Sequence, residues 1–523
     1  MNDKMRPELS GFKELQSRTL DKTRTEAVAK RHAAGYRTAR ENLADLADAD
    51  SFMEYGQLAV AAQRNRYDYK ELQIRAAADG IITGIGTINR DLFGKEKSRA
   101  VIIVNDYTAL AATQGYFHHK KLDRILKVAE ELKLPVIMYT EGGGGRPGDT
   151  DVSTVIAGLN YTSFYTWASL SGLIPRIAVN NGYCFAGNAA LFGCADITIA
   201  TRTSWIGMAG PAMIEGGGLG VFKPTDIGPI DVQVKNGVVD IVTENEAEAT
   251  AIAKKLLGYF QGAVEQWSCP DQSALRDIIP ENRRRGYPVR DVIDVLADVD
   301  SFIELRKSYG QGIVTGFIRL EGKPLGLIAN NCMHLSGAVD AEAAEKAARF
   351  LQLCDAFELP VLSLTDTPGF MVGPNSEAEA SVRRMSSLFV SFASITVPLV
   401  AVILRRGYGL GAMAMTGGSF LTPDYIVAWP TGEIGGMGLE GAVKLGFKKE
   451  LAAIEDEVER KTVFDDLVAK AYEMGKATEA ASHLEFDAVI DPMDTREIII
   501  KAITSAPKTK QTKNKRRNFI DTW

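Results

Sequence analysis

"KLPVIMYTEGGGG", Lys133–Gly145, returns in altered form as "ELPVLSLTDTPGF", Glu358–Phe370, and that echo decides the fold. Each copy is a short apolar run opened by a proline, Pro135 or Pro360, and closed by a glycine-bearing loop. Three more blocks repeat in the same order. "LADADSFMEYGQ" near residue 50 is matched by "LADVDSFIELRK" near residue 300, and "IPRIAVNNGYCFAGNAA" from Ile174 by "VPLVAVILRRGYGLGAMA" from Val397. "TSWIGMAGP" and "VAWPTGEIGGMG" share a tryptophan, Trp205 and Trp429, followed by a glycine-rich turn. Offsets of about 220 to 250 residues are far too long for a solenoid, and four blocks in one order are hard to obtain by chance. The chain therefore reads as two homologous domains in tandem, residues 1–268 and 269–523. The join is expected around "CPDQSALRDIIPENRRRGYPVRD", where Pro270, Pro280, Pro288 and a run of arginines break the apolar pattern.

Within each half, β-branched runs alternate with segments of helical period. "RAVIIVND" precedes "HHKKLDRILKVAEEL" and "LPVIMYT"; in the second half "LGLIANN" precedes "DAEAAEKAARFLQLCDAF" and "LPVLSLTD". This alternation predicts an α/β arrangement with crossover helices packed on a sheet. "ENEAEATAIAKKLLGYF" predicts an amphipathic helix with Ala249, Ile252, Leu256 and Tyr259 on one face, sealing the first domain.

A length of 523 residues exceeds what one core supports, and 46% hydrophobic with 24% charged residues is ordinary for a soluble chain. A net charge of -6 gives no reason to expect a nucleic-acid partner. The one basic run, "PKTKQTKNKRRNF", is expected to be a solvated tail. Cysteines 184, 194, 269, 332 and 354 form no C-x-x-C pair, so neither a disulfide framework nor a metal ribbon is expected. With no apolar signal core at the N-terminus and no membrane-length apolar segment, the expected setting is cytoplasmic.

The glycine run invites a phosphate-loop reading, since Gly143 and Gly148 fit G-x-x-x-x-G. The next two residues are Asp149 and Thr150, and a carboxylate where the phosphate-binding lysine belongs repels the ligand. The glycines instead suit a loop whose amides another group approaches closely, or a plain turn. Nucleophilic acyl transfer is poorly supported: there is no G-x-S-x-G elbow, and imidazole could come only from His32, His118, His119, His334 and His483. His118 and His119 are adjacent and do not share a helix face, which disfavours a joint metal site; one of them is expected to be solvated or capping. No metal is expected.

The stronger signal is backbone. In each half a strand ends in a tight glycine and alanine cluster before an apolar helix: Gly187, Asn188 and Ala189, and then Gly409, Leu410, Gly411 and Ala412. Such a turn leaves the first helical amides unpaired and aims them outward, the arrangement that holds a developing oxyanion. Close packing of helix on strand would select the same residues, but the recurrence at equivalent places favours function. Gly407, Gly409 and Ala412 also satisfy the loose dinucleotide pattern G-x-G-x-x-A; its late position, the lack of a first-half counterpart and the early arrival of Asp424 argue against it.

The second half carries "FLQLCDAFELPVLSLTDTPGF", "SITVPLVAVILRRGYGLGAMAM", "VAWPTGEIGGMGLEGAV" and "VIDPMDTREII"; the first carries "ADSFMEYG", "AGNAALFGCADITIA" and "GMAGPAMIE". In these motifs the sequence resembles the carboxyltransferase (β) subunit of the biotin-dependent acyl-CoA carboxylases, a family of two crotonase-like domains in tandem. The resemblance implies CO2 transfer from carboxybiotin, carried on a partner protein, to the α carbon of an acyl-CoA thioester. Two oxyanion holes follow, one at Gly187 and Asn188 and one at Leu410 and Gly411, with neither assigned to a particular oxygen. In this family the glycine run corresponds to a Ser-Gly-Gly-Ala-Arg segment lining the site, which places Gly143, Gly144, Gly145 and Arg146 among the substrate-binding residues, and the ungapped match adds Ala412 and Met413. Glu141 and extra glycines depart from that segment, and Asn188 stands where a second glycine is frequent; both bear on which acyl-CoA is used. An apolar Met413 is compatible with a chain longer or bulkier than acetyl. Implied partners are a biotin carboxylase and a biotin carboxyl carrier subunit, and the implied assembly is a hexamer, a trimer of dimers. Rival readings are a decarboxylase subunit of a sodium pump running the transfer in reverse, a biotin-independent enoyl-CoA hydratase or isomerase, and a non-catalytic CoA-binding scaffold.

Overall fold

A computed structural model describes residues 6–152, 159–507 and 519–523. Most of the basic C-terminal run lies outside the described residues. The chain divides into two compact units, one ending at Gly262 and taking in Ile520, the other starting at Ala263. Gly262, with φ 122°, ends the Glu246–Gln261 helix, which buries Ala249, Ala253, Leu256, Leu257 and Tyr259. The proline-bearing segment lies beyond this division, where Leu275, Ile279 and Tyr287 join the second core.

The first unit holds β1 (Met53–Tyr55), β2 (Ile81–Thr87), β3 (Arg99–Asn105), β4 (Val136–Tyr139), β5 (Arg176–Asn180), β6 (Tyr183–Phe185), β7 (Ile197–Thr201), β8 (Trp205–Gly207) and β9 (Ile241–Thr243). Its main sheet runs β1-β2-β3-β4-β5-β7-β9, with β6 paired to β8 separately. The second unit holds β10 (Ile303–Leu305), β11 (Ile313–Leu320), β12 (Lys323–Asn330), β13 (Val361–Thr367), β14 (Leu399–Tyr408), β15 (Tyr425–Ala428), β16 (Glu433–Gly435) and β17 (Ala488–Val489). Its sheet runs β10-β11-β12-β13-β14-β15-β17, and β16 adds to β14. In both units the first two pairings are antiparallel and the rest parallel. The chain is thus an α/β protein of two crotonase-like domains in tandem. β14 does in one strand what β5 and β6 do in two. β3 reads as an unbroken apolar run because helices cover both faces of the parallel region, and six of its seven residues are buried.

The duplication extends to an interaction that composition hides. Lys121, on the Tyr116–Leu132 helix, is buried and donates through Nζ to the carbonyls of Ala78, at 2.9 Å, and Ile81. Lys346, on the Ala341–Ala356 helix, donates to the carbonyls of Arg306, Tyr309 and Gly310 at 3.0, 2.9 and 3.3 Å. Burial pulls the two ammonium groups down to about 8 and about 7. Each lysine satisfies main-chain carbonyls and so fixes its helix to the chain at the edge of the sheet, Lys121 at the start of β2 and Lys346 at the loop after β10.

Candidate active site

In the first unit β6 leads to Ala186, which takes φ 51° and ψ -120° ahead of the Gly187–Gly193 helix. A residue with a β-carbon in that region is strained and persists only where its surroundings hold it. Here they do: Ala186 N–H donates to Gly207 O at 3.0 Å, and its carbonyl accepts from Ala190 N at 2.9 Å. Gly187 and Asn188 are the first two helical residues, with no carbonyl one turn behind them, and neither N–H finds an acceptor among the described residues.

The glycine run packs directly on this turn. Gly142 N–H donates to Tyr183 O at 2.7 Å and its carbonyl accepts from Phe185 N at 3.0 Å, so the loop continues the pairing of β6. A β-carbon on Gly142 would stand 2.3 Å from Asn188 Nδ2, and one on Gly144, whose φ is +85°, 2.8 Å from the Ala186 β-carbon. Close approach, not phosphate binding, demands the glycines. Asn188 has its own use: Oδ1 accepts from Gly144 N at 3.1 Å and Nδ2 donates to Thr140 O at 3.2 Å. The side chain ties the glycine run to the helix while the residue's main-chain N–H stays available.

Arg146 is turned inward. Its guanidinium donates to Asp149 Oδ1 at 2.9 Å, Asp79 Oδ1 at 2.7 Å and Thr113 O at 3.1 Å, which anchors the loop that Gly143, Gly144 and Gly145 begin. Burial raises the Asp79 carboxyl to about 6 in spite of that guanidinium. His118 and His119 are both buried, at 1% and 5% exposure, which corrects the expectation that one is solvated. His118 Nδ1 lies 3.2 Å from Asp79 O, and His119 Nδ1 lies 2.9 Å from Ser163 Oγ, which donates to Asp123 Oδ1. Burial depresses both imidazoles, His119 to about 4.

The second unit repeats the turn. β14 ends at Gly409, φ 57°, which opens the Gly409–Met415 helix. Gly409 stands where the first unit has Ala186, and a β-carbon there would meet Gly436 O at 2.8 Å. The N–H groups of Leu410 and Gly411 have no acceptor among the described residues. Gly411 presses on the loop after β13: its missing β-carbon would lie 2.5 Å from Gly369 C and 2.9 Å from Phe370 N. Behind that loop, burial opposes ionisation of Asp366, but Arg406 and Arg405, at 2.6 and 3.0 Å, overcome it and hold its carboxyl below the usual range. Ala412 is buried, whereas Leu410 is exposed and Met413 borders a 570 Å³ groove with Phe420, Leu421, Ile434, Met474 and Leu484.

Sequence reasoning missed the strain at Ala186, the bracing role of the Asn188 side chain and the burial of His119. Only the alignment of Ala186 with Gly409 carried a signal of the first. Of the predicted residues of the first unit, Gly144 bonds the Asn188 side chain at 3.1 Å, while Gly143 packs on Thr113 and Arg146 points to Asp79 and Asp149; Leu410, Gly411, Ala412 and Met413 share one helix of the second unit. Main-chain donors with no acceptor among the described residues thus recur at equivalent turns of the two units.

The sequence matches the carboxyl transferase domain family over residues 30–519, and the chain belongs to that family. It is 31% identical over 508 residues to the methylmalonyl-CoA carboxyltransferase 12S subunit of Propionibacterium freudenreichii subsp. shermanii, covering 94% of this chain and 93% of that one. Among solved structures, a single-chain, multi-domain long-chain acyl-CoA carboxylase is 53% identical with a TM-score of 0.91; the match covers 95% of this chain and 49% of that one, so the chain spans about half its length. The transcarboxylase 12S crystal structure, described as a hexamer with methylmalonyl-CoA bound, is 28% identical with a TM-score of 0.84 over 98% of this chain and 97% of that one. The protein is an acyl-CoA carboxyltransferase.

Proposed function

We propose that the chain moves CO2 from carboxybiotin, presented on a biotin carboxyl carrier, to the α carbon of an acyl-CoA. The observation that supports this reading is a match of number: two turns, each with two main-chain N–H groups lacking an acceptor, for a reaction in which two oxygens gain charge. When bound, carboxybiotin supplies the CO2 and the ureido nitrogen that removes the α-proton. Gly187 and Asn188 donate to one of the two oxygens, thioester or ureido, and Leu410 and Gly411 to the other. Each donor of this kind is worth roughly 100- to 1000-fold in kcat, because it is fixed before the charge develops. Gly143, Gly144 and Gly145 line the first site and Arg146 holds them in place through Asp79 and Asp149. Ala412 and Met413 flank the acyl chain. The groove at Met413, apolar except for Ser419 and Glu485, suits a chain longer than acetyl, in keeping with the long-chain substrate named for the 53% identical carboxylase.

A biotin carboxylase and a carrier complete the reaction, and the working assembly is a hexamer built as a trimer of dimers, in the cytoplasm. Among the described residues no helix is long and apolar enough to cross a membrane. The test is an assay of the chain with a biotin carboxylase, a biotinylated carrier, ATP and labelled bicarbonate over thioesters from acetyl- to palmitoyl-CoA. Label is expected in the longer thioesters. Label that reaches free biotin but never a thioester overturns the reading.

A further inference from the structure

Gln114 lies between the glycine run and the first turn and belongs to neither. Its main chain is locked on both sides: N–H donates to Gly144 O at 2.7 Å and its carbonyl accepts from Arg146 N at 2.8 Å. Its side chain is therefore delivered to a fixed place, with Oε1 2.1 Å and Cδ 3.0 Å from the point a Gly187 β-carbon would occupy. The residue is 4% exposed, and Nε2 is buried with no hydrogen-bond partner among the described residues. Leaving a buried amide donor unmet is destabilising, so a fold that keeps one beside this turn calls for an acceptor from outside the chain. Phe164, whose Cζ is 3.1 Å from the same point, closes the space around the amide and strengthens any bond made there. In the second unit Val339 holds the corresponding main-chain place, its N–H donating to Gly369 O at 3.1 Å and its carbonyl accepting from Met371 N at 2.8 Å, and its side chain carries no donor.

We propose that the Gln114 carboxamide is a ligand-contacting group of the first site, its NH2 donating to the carbonyl or ureido oxygen that the Gly187–Asn188 turn receives. The inference rests on the carboxyl-transfer reading for the identity of that oxygen. With Gln114, the first site has three donors and the second has two, so loss of this side chain acts on one reactant only.

The test uses Gln114→Leu, which removes the donor at similar volume, and Gln114→Glu, which keeps the shape and makes the donor depend on a proton. In the coupled assay Gln114→Leu is expected to lower kcat roughly 100-fold, with KM rising only for the reactant whose oxygen the side chain meets. Gln114→Glu is expected to be as impaired at pH 8 and to recover relative to the unaltered chain toward pH 6, a profile that a packing defect does not produce. Calorimetric titration of each variant with octanoyl-CoA and with biotin methyl ester should show about tenfold weaker binding of one ligand and unchanged binding of the other. A Leu variant equal to the unaltered chain in both kcat and binding, or a Glu variant whose pH profile tracks it, overturns the proposal. If the unaltered chain labels no thioester while Gln114→Leu still weakens one ligand, the carboxyl-transfer reading fails and this assignment stands.

Discussion

Gly411→Ala tests the second site at its tightest point. The added β-carbon would sit 2.5 Å from Gly369 C, 2.6 Å from Gly369 Cα and 2.9 Å from Phe370 N, whereas ordinary contact starts at 3.4 Å. All three atoms are main chain, so no side chain can swing away; helix and loop must part by about 0.9 Å. Overpacking of this kind costs roughly 1–3 kcal/mol, which a two-unit protein survives. Function is more sensitive: a shift near 1 Å in a positioned group costs on the order of 100-fold in rate, because the N–H groups of Leu410 and Gly411 no longer converge on one oxygen. The control is Gly446→Ala, where nothing lies within 4 Å and φ is not positive. Purified variants are compared by urea denaturation and by label transfer to octanoyl-CoA. The expectation is a modest loss of stability with a loss of about 100-fold in kcat for Gly411→Ala, and neither for the control. If the Gly411 variant folds and turns over within twofold of the unaltered chain, the close contact does not set the site.

Asn188→Ala removes the bonds to Gly144 N and Thr140 O and should cost about 1–3 kcal/mol in urea denaturation, with lost activity from a loosened glycine run. His119→Gln should flatten part of the acid sensitivity. The imidazole titrates near 6.5 when unfolded and about 4 when folded, so the unfolded chain binds the extra proton in that window; stability is present above pH 6.5 and lost as pH falls toward 4, by up to about 3 kcal/mol. Denaturation midpoints of variant and unaltered chain should converge across that range. Met413→Asp places a carboxylate at the apolar groove and should shift the preference toward shorter thioesters by roughly tenfold, read from kcat/KM across the acyl series.

The repeated blocks made the duplication readable because each marks a strand end or a turn, where side-chain choice is narrow. Pro135 and Pro360 open β4 and β13, and the strand order that follows is the same in both units. The turns at Gly187 and Gly409 were readable because an exposed amide beside a packed helix leaves little besides glycine and alanine. What escaped depends on partners distant in sequence. Arg146 resembled a ligand-binding cation until Asp79, which precedes it by 67 residues, was seen to take one end of its guanidinium. The burial of both His118 and His119 was not legible because Ser163, the partner of His119, follows it by 44 residues, and Asp79, the partner of His118, precedes it by 39. The strain at Ala186 shows only in its match to Gly409, since alanine by itself is the residue best suited to a relaxed helix.

Ala186 and Gly409 make the duplicated turns mechanically unequal. The first keeps a methyl group against Gly144, whereas the second has no side chain and faces the carbonyl of Gly436. Duplication has thus kept the two amide pairs while letting the chain around them diverge, a side chain filling in one copy the place that glycine leaves empty in the other.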